Sequence, residues 1–561
     1  MAEYLSPGVY VEEFDSAPRA IEGVGTSTAG FVGFAEKGPT SGAPVLITSY
    51  AEYIRVFGGY LGEHVYGGNR FLPYAVEQFF INGGTRCYVS RVAPEGAAAA
   101  TVTTGAIRVT AANEGKWGNK VTINFKDVSS FKAQMLEQVS DTEYVAKSLS
   151  GFEEGNLVVF NGEYNKILSV NGDHVVFERA FAENPVDTDL IPKKFVYSAE
   201  VDVTVSCGGE GEVYTGVCLN PESSDFIVRK MAKSALVRFE CQEIFGIGSP
   251  TELLTGEEGK GVVTITLSGG TEGEVKNVTP DVFIGKDLGP GKRTGIMSFL
   301  ENDVVSIMAV PGITLPEVVV SLVTFCERKK SCFAVLDIPM DLVKTNEILE
   351  YRELIDSTYA AMYHPWIQIF DQQAKKPAFI PPSGSVAGVY SRTDIVRGVH
   401  KAPANETIMT SGLSTNFNTG EQDILNPKGV NLIRALPGQG IKIWGARTAS
   451  SNSNFKYVNV RRLFIFVEES IRANTNWVVF EPNDAGLWDR VRMTIEGFLG
   501  GLWRAGMLVG ATEAEAFYVD IGPNTMTRDD IENGRLICQI GIAPSKPAEF
   551  VIFRITQHTA Q

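Results

Sequence analysis

What this sequence has little of narrows its function first. Its 561 residues hold seven cysteines, Cys87, Cys207, Cys218, Cys241, Cys326, Cys332 and Cys538, odd in number and widely scattered. A disulfide scaffold uses denser, paired cysteines, so the chain reads as one folded in a reducing cytoplasm. Only five histidines occur, His64, His174, His364, His400 and His558, and neither an HExxH nor a CxxC spacing is present. That argues against a zinc site built from a local motif. No uncharged apolar run reaches 18 residues, and the start, MAEYLSPGVYVEE, lacks a basic stretch leading into an apolar one. Neither a membrane span nor a secretory signal is expected. Basic residues are outnumbered, 50 Lys and Arg against 66 Asp and Glu, for a formal charge of −16. This balance argues against a nucleic-acid backbone or an anionic membrane as the main partner.

Catalytic constellations are missing too. Gly289-Pro290-Gly291-Lys292-Arg293 has the texture of a phosphate loop, but Lys286 stands where the first glycine belongs and Arg293 where a magnesium-binding Ser or Thr would be. Gly25-Thr26-Ser27-Thr28-Ala29 is no nucleophile elbow, because Ala29 replaces the second glycine. Cys326 and Cys332 flank Glu-Arg-Lys-Lys-Ser, which is no metal spacing; small, partly buried residues are the plainer reading. No catalytic residue, cofactor site or metal site emerges.

What is present is material for several cores: 44% hydrophobic and 21% charged residues, over a length that suggests three to four domains. Charge is unevenly spread. Asp127 to Val275 holds 25 acidic and 11 basic residues, nearly the whole acidic excess, as an exposed insert would. The first 24 residues are strand-like around Val9-Tyr10-Val11, with Pro18 breaking any regular helix. An αβ pattern follows, with a strand at Pro44–Ile47 and a helix opened by a Ser49/Glu52 capping box and stopped by Gly58-Gly59. A second helix spans Phe71–Asn82, and a strand Arg86–Val92. Short strands then dominate: Ile107–Thr110, Val121–Phe125, Leu157–Phe160 and His174–Phe177, punctuated by Asn161-Gly162 and Asn171-Gly172. No repeat of 20–50 residues underlies them. From about Gly295 the αβ alternation resumes, with helices at Leu315–Glu327 and near Val343–Met362 and strands at Phe333–Leu336 and Trp366–Phe370. Two helices, Val458–Ala473 and Asp484–Met507, precede paired strands. The fold class expected is multidomain mixed α/β with a β-rich insert and extended terminal arms. The limits expected are an N-terminal arm over 1–24, a middle domain of 25–93 with 291–410, an acidic insert over 94–290, a C-terminal domain over 411–543 and a C-terminal arm over 544–561.

Several blocks carry a family resemblance. Tyr4–Glu13 (YLSPGVYVEE) followed by Gly23–Gly33 (GVGTSTAGFVG) resembles the opening of phage tail sheath proteins. AMYHPWIQIF from Ala361, PPSGSVAGVYSR from Pro381, KAPANE from Lys401, LNPKGVN from Leu425 and WGART from Trp444 are similar to the family's middle. VNVRRLFIFVEESI from Val458, WVVFEPND from Trp477 and KPAEFVIFRITQ from Lys546 are similar to its C-terminal domain.

The resemblance implies a non-enzymatic contractile subunit. Such subunits form hexameric rings stacked helically around an inner tube in phage tails, R-type pyocins and related injection systems. Implied partners are further copies of the chain, the tube protein, and baseplate and terminator or cap proteins, with assembly in a bacterial cytoplasm, no cofactor, no nucleic acid and no membrane insertion. Terminal strands are exchanged between neighbours. The arms are Val9, Tyr10, Val11 and Phe550, Val551, Ile552, Phe553; the acceptor hairpin is Phe517, Val519, Ile521 with Leu536, Cys538, Ile540. Residue chemistry alone leaves open whether the apolar C-terminal strand adds to a neighbour or folds back, since either covers an aggregation-prone edge. Hinges are expected at Ser16–Gly25 and Gly541–Lys546. The tube-facing candidates are Asp489, Arg490, Arg492, Glu496 and Arg504, with Asp529, Asp530 and Glu532 as the second set. The competing class is an αβ enzyme with an unrecognised cleft at strand C-termini.

Overall fold

The computed structural model describes residues 20–186, 193–242, 244 and 246–552. Runs such as Ala29–Gly33, Phe333–Asp337 and Ala360–His364 are buried at every position, as strands covered on both faces must be. They lie in a nine-stranded sheet ordered Val45–Ile47, Cys87–Arg91, Ala29–Gly33, Ile307–Ala309, Phe333–Asp337, Ala360–His364, Val430–Leu436, Gly440–Ile443, Glu406–Thr407. From Cys87–Arg91 to Val430–Leu436 the pairing is parallel; the outer strands are antiparallel. Side chains alternate between two cores: Phe31, Val335, Tyr363 and Ile433 face one, and Val32, Leu336, Met362 and Leu432 the other. Because Val430–Leu436 and Gly440–Ile443 extend this sheet, the chain from 411 to about 443 packs with the middle region rather than with the helices after it.

The helix near Val343–Met362 is shorter than its sequence suggests. It spans Thr345–Arg352, and Ala360–His364 becomes a buried strand. The cause is tertiary: Ser357 N–H donates to the Ala449 carbonyl, and the Asp356 carboxylate accepts from Ser450 and Ser451, which ends the helix and feeds the apolar run into the sheet. The Ser49 cap is as expected, its hydroxyl accepting from Glu52 N–H; the Glu52 carboxylate returns to Thr48, one residue earlier than a capping box requires.

Helix Ser383–Arg397 crosses helix Leu72–Ile81 very closely. A Cβ on Gly384 would lie 2.4 Å from the Ala75 carbonyl oxygen, and one on Gly388 2.5 Å from that of Phe79. Both glycines are needed for space, not for backbone freedom.

The insert leaves and rejoins the body at one neck, where Ala98 and Thr271 exchange two backbone hydrogen bonds of 2.9 and 3.0 Å. Above it, a four-stranded sheet (Glu210–Val217, Glu200–Cys207, Thr122–Val128, Val262–Thr266) and a three-stranded sheet (Val237–Cys241, Ile107–Ala111, Thr101–Thr104) share a core that includes Val109, Phe125, Val203 and Phe239. An outer antiparallel sheet of seven strands between Lys132 and Ser198 has its own core around Met135, Tyr144, Ile167 and Phe177. The acidic segment therefore does not delimit a folding unit. Asp127 lies inside strand Thr122–Val128, where its carboxylate accepts from Ser249 and Thr251, and Val275 belongs to a body core.

C-terminal to the sheet, helices Val458–Asn474 and Ala485–Arg504 pack through Leu463, Val467, Leu487, Val491, Ile495 and Leu499. Arg462 fastens them to the body. Its guanidinium donates to both Asp394 oxygens at 3.0 and 2.6 Å and to the Thr26 carbonyl at 2.9 Å, and lies 4.7 Å over the Tyr390 ring.

Two outcomes test this architecture. Gly384→Ala should lower unfolding free energy by at least about 1–3 kcal/mol through overpacking; an unchanged thermal midpoint would show that the crossing is looser than described. Replacing 99–270 with a short Gly/Ser linker should leave a cooperatively unfolding body, whereas excision of 127–275 cuts a strand and should give an aggregating product, as size-exclusion chromatography can check.

Candidate assembly interface at the hairpin and the chain ends

The C-terminal hairpin pairs Phe517–Ile521 with Cys538–Ile542, Phe517 opposite Ile542 and Ile521 opposite Cys538. The second strand thus begins at Cys538; Leu536 precedes it but packs into the same cluster. Strand alternation sends Phe517, Val519, Ile521, Cys538, Ile540 and Ile542 toward the two helices and leaves Tyr518 outward. Arg492 of helix Ala485–Arg504 ties the hairpin down, donating to the Ile521 carbonyl at 2.6 Å. Among the described residues this sheet has two strands, whose outer edges carry backbone groups without a further strand beside them.

The chain is fastened within both segments expected as hinges. Val9, Tyr10, Val11 and Phe553 lie outside the described residues. Of the hinge Ser16–Gly25, the described part is docked: Ile21 is buried in the helical cluster, Glu22 and Asn474 exchange hydrogen bonds, and Val24 N–H donates to Ser470. Gly541–Ser545 is docked as well. Gly541 and Ile542 are in the strand, Ala543 exchanges backbone bonds with Ala516 and Val509, and Ser545 N–H donates to the Met507 carbonyl.

A carboxylate clamp follows. Glu549 accepts a bidentate pair from Arg447 at 2.7 and 2.8 Å, with further bonds from Asn426 at 2.8 Å and Tyr457 at 2.9 Å. Beyond it Phe550, Val551 and Ile552 are 71%, 68% and 79% exposed and join no strand among the described residues. Burial pushes the Glu549 carboxyl upward, but the bonds from Arg447, Asn426 and Tyr457 outweigh it and bring its pKa down to about 2. Sequence reading missed this clamp, because Arg447 and Glu549 are 102 positions apart; the acidic residue just before an apolar run was its only trace.

The tube-facing candidates are bound up locally. Asp489 pairs with Arg492, Arg490 with Glu481 and Arg504 with Glu513, while Glu496 is exposed. In the second set Arg535 bridges Asp529 and Asp530, and Arg528 pairs with Glu532. Cys326 and Cys332 are buried with sulfurs 3.4 Å apart. Among the described residues no three His, Cys, Asp or Glu side chains are grouped to hold a metal ion.

Residues 288–449 match the model of the phage tail sheath protein central domain, and 450–558 that of the phage tail sheath C-terminal domain. Residues 288–558 thus carry both phage tail sheath domains, one directly after the other. A putative prophage major tail sheath protein of Pseudomonas aeruginosa is 24% identical over 325 residues, 55% of this chain and 81% of that protein. The tail sheath protein of Salmonella phage ViI is 31% identical over 150 residues, which span 25% of this chain and only 23% of that relative. Among solved structures, the sheath of the extracellular contractile injection system PVC in its contracted state aligns with a TM-score of 0.54 at 20% identity, covering 100% of this chain and 99% of that one. A sheath tail protein from Listeria innocua aligns at 0.53 and 14% identity, covering 94% and 97%. At these identities the likeness is one of fold.

The clamp yields a pH prediction. A carboxyl depressed on folding contributes stability above its unfolded pKa and loses it as pH falls toward the folded value. Glu549→Gln should therefore lower the thermal midpoint at pH 7 and pH 5, with the difference from wild type closing between about pH 4.5 and pH 2. A difference unchanged at pH 2.5 would show that the carboxylate charge is not what holds the segment.

Proposed function

We propose that this chain is the structural subunit of a contractile sheath. Its copies stack as hexameric rings around an inner tube, joined by exchange of terminal strands, and shorten to drive the tube through a target envelope. The observation that carries this reading is a hairpin with no third strand among the described residues, beside a described chain end whose apolar residues are exposed past a clamp. Adding a neighbour's strand to such an edge supplies backbone bonds worth about 0.5–1.5 kcal/mol each and covers side chains worth roughly 1.5–3 kcal/mol each when fully buried. The energy for shortening resides in the lattice: an extended arrangement with fewer good contacts relaxes to a contracted one, with no nucleotide consumed at the subunit. Asp489, Arg490, Glu496 and Arg504 are the surface we assign to the tube. Arg492 is set apart from them, since its reversal would also unseat the hairpin. A baseplate nucleates the stack and a terminator caps it; assembly takes place in the bacterial cytoplasm, without nucleic acid or membrane insertion.

An αβ enzyme would bind its ligand where the parallel strands end. There the Asp337 carboxylate is occupied by Gly312 N–H and by the backbone and hydroxyl of Ser383, and the cavity beside it holds about 10 Å³, no more than one water.

Truncation after Glu549, which leaves the tethers at Ala543, Ser545 and Glu549 intact, should give folded subunits that form no striated tubes by negative-stain microscopy. Tubes of wild-type length from this variant would refute strand exchange at the C-terminus.

A further inference from the structure

Cys326 and Cys332 are the two cysteines whose sulfurs touch, 3.4 Å apart; no other pair of the seven is in contact among the described residues. Both side chains are fully buried, in the core on one side of the parallel sheet. The chain reversal between them sets this contact. Helix Pro316–Lys329 ends at Lys330, whose φ of 62° is left-handed and whose N–H donates to the Cys326 carbonyl at 2.8 Å. A left-handed residue at that point folds the chain back over the last helical turn, and glycine is the usual choice there. Two residues on, Cys332 leads into strand Phe333–Asp337, whose first N–H donates to the Ser306 carbonyl. Side contacts pin the reversal. Glu327 accepts from the Ser357 hydroxyl at 2.6 Å, and the Lys329 ammonium donates to the Leu300 carbonyl at 3.0 Å and to Asp303 at 3.2 Å.

We propose that this pair is a latent disulfide, a modification site that a peroxide closes on the native fold. One thiolate attacks the peroxide, the O–O bond breaks, and the products are a sulfenic acid and water. The second sulfur then attacks the first, an S–S bond forms, and the hydroxyl leaves as a second water. In sum, two thiols and one hydrogen peroxide give one disulfide and two waters, the sulfurs losing the two electrons that the peroxide gains. A sulfenic acid formed on either sulfur has one thiol already in contact, so closure competes with further oxidation. The sulfurs need to approach by about 1.3 Å, from 3.4 Å to a bonding distance of about 2.05 Å, a shift the two side chains share.

Burial pushes the Cys326 thiol well above its usual range, and the Cys332 sulfur beside it adds to the shift. Thiolate is therefore scarce, and the reaction is slow, waiting on brief opening of the last helical turn. In a reducing cytoplasm the pair stays open while the subunit folds; in an oxidising exterior it closes. That setting rests on the sheath reading, since a released particle meets it. The chemistry does not, and it can be measured on unassembled subunits.

Trypsin cuts between the two cysteines at Arg328, Lys329 and Lys330, which makes the link readable. Folded full-length subunits are treated with hydrogen peroxide, and the remaining thiols are alkylated in denaturant. The peptides of Cys326 and Cys332 should then run as one linked species in most chains, and dithiothreitol should split it. Linked subunits should unfold about 2–5 °C higher than untreated ones, while the Cys326→Ala/Cys332→Ala double variant should gain nothing from peroxide. Three results would each overturn the proposal: peptides that stay separate while the partly exposed Cys207, Cys241 and Cys538 are oxidised, a link that forms only in denatured chains, or Cys326 recovered as sulfinic acid. A native link in a protein that never forms tubes, oxidised or reduced, would support the site while rejecting the sheath reading.

Discussion

The ion pair between Asp394 and Arg462 is the contact on which the arrangement of the parts depends. Both side chains are 3% exposed. Taking two charges out of water is costly, and the cost is offset only where geometry satisfies every group. Here it does: both carboxylate oxygens accept, the remaining guanidinium valence reaches the Thr26 carbonyl, and the cation sits over Tyr390. Burial still raises the Asp394 pKa despite Arg462, a sign of how dry the site is. Three chain segments meet at this point: the strand entry near Thr26, the end of helix Ser383–Arg397 and the start of helix Val458–Asn474. Removing one partner alone would strand a buried charge. The pair thus ties the body to the C-terminal helices.

That tie gives meaning to where the chain is fastened. Ile21 to Val24 is docked on one helix, and Gly541 to Ser545 is laced to the 507–516 segment. The Glu549 clamp fixes the point and direction from which the apolar Phe550–Ile552 segment departs. A strand presented this way loses less conformational entropy on pairing than one swinging from a flexible linker.

The insert is built differently. It leaves and rejoins the body where Ala98 pairs with Thr271, is held there also by Arg91 to the Glu114 carbonyl and Lys37 to Glu210, and carries two β cores in series, the outer one nested between strands of the inner. Acidic side chains spread over it are least costly facing water. Nothing in the parallel sheet depends on the outer core, so it can vary in size without disturbing the body.

Residue order by itself determined the local elements. The apolar run Phe333–Leu336 reads as a strand covered on both sides, and the 3.6-residue spacing of Val460, Leu463 and Val467 reads as a half-buried helix, because each pattern repeats within one element. It also carried the family through blocks whose chemistry is local, such as SGSVAG, where two glycines four apart make a close helix crossing. Tertiary structure alone decided what joins distant positions. The clamp pairs Arg447 with Glu549, the hub pairs Asp394 with Arg462, and the neck pairs Ala98 with Thr271, and no periodicity encodes such pairings. It also decided that Val343–Met362 splits into helix and strand, since hydrogen bonds from the 449–451 segment outweigh helix propensity there, and that the fold unit of the insert does not follow its charge. Charge reports exposure, residue by residue; the limits of a folding unit are set by which strands share a core, and that is known only once the chain has closed on itself.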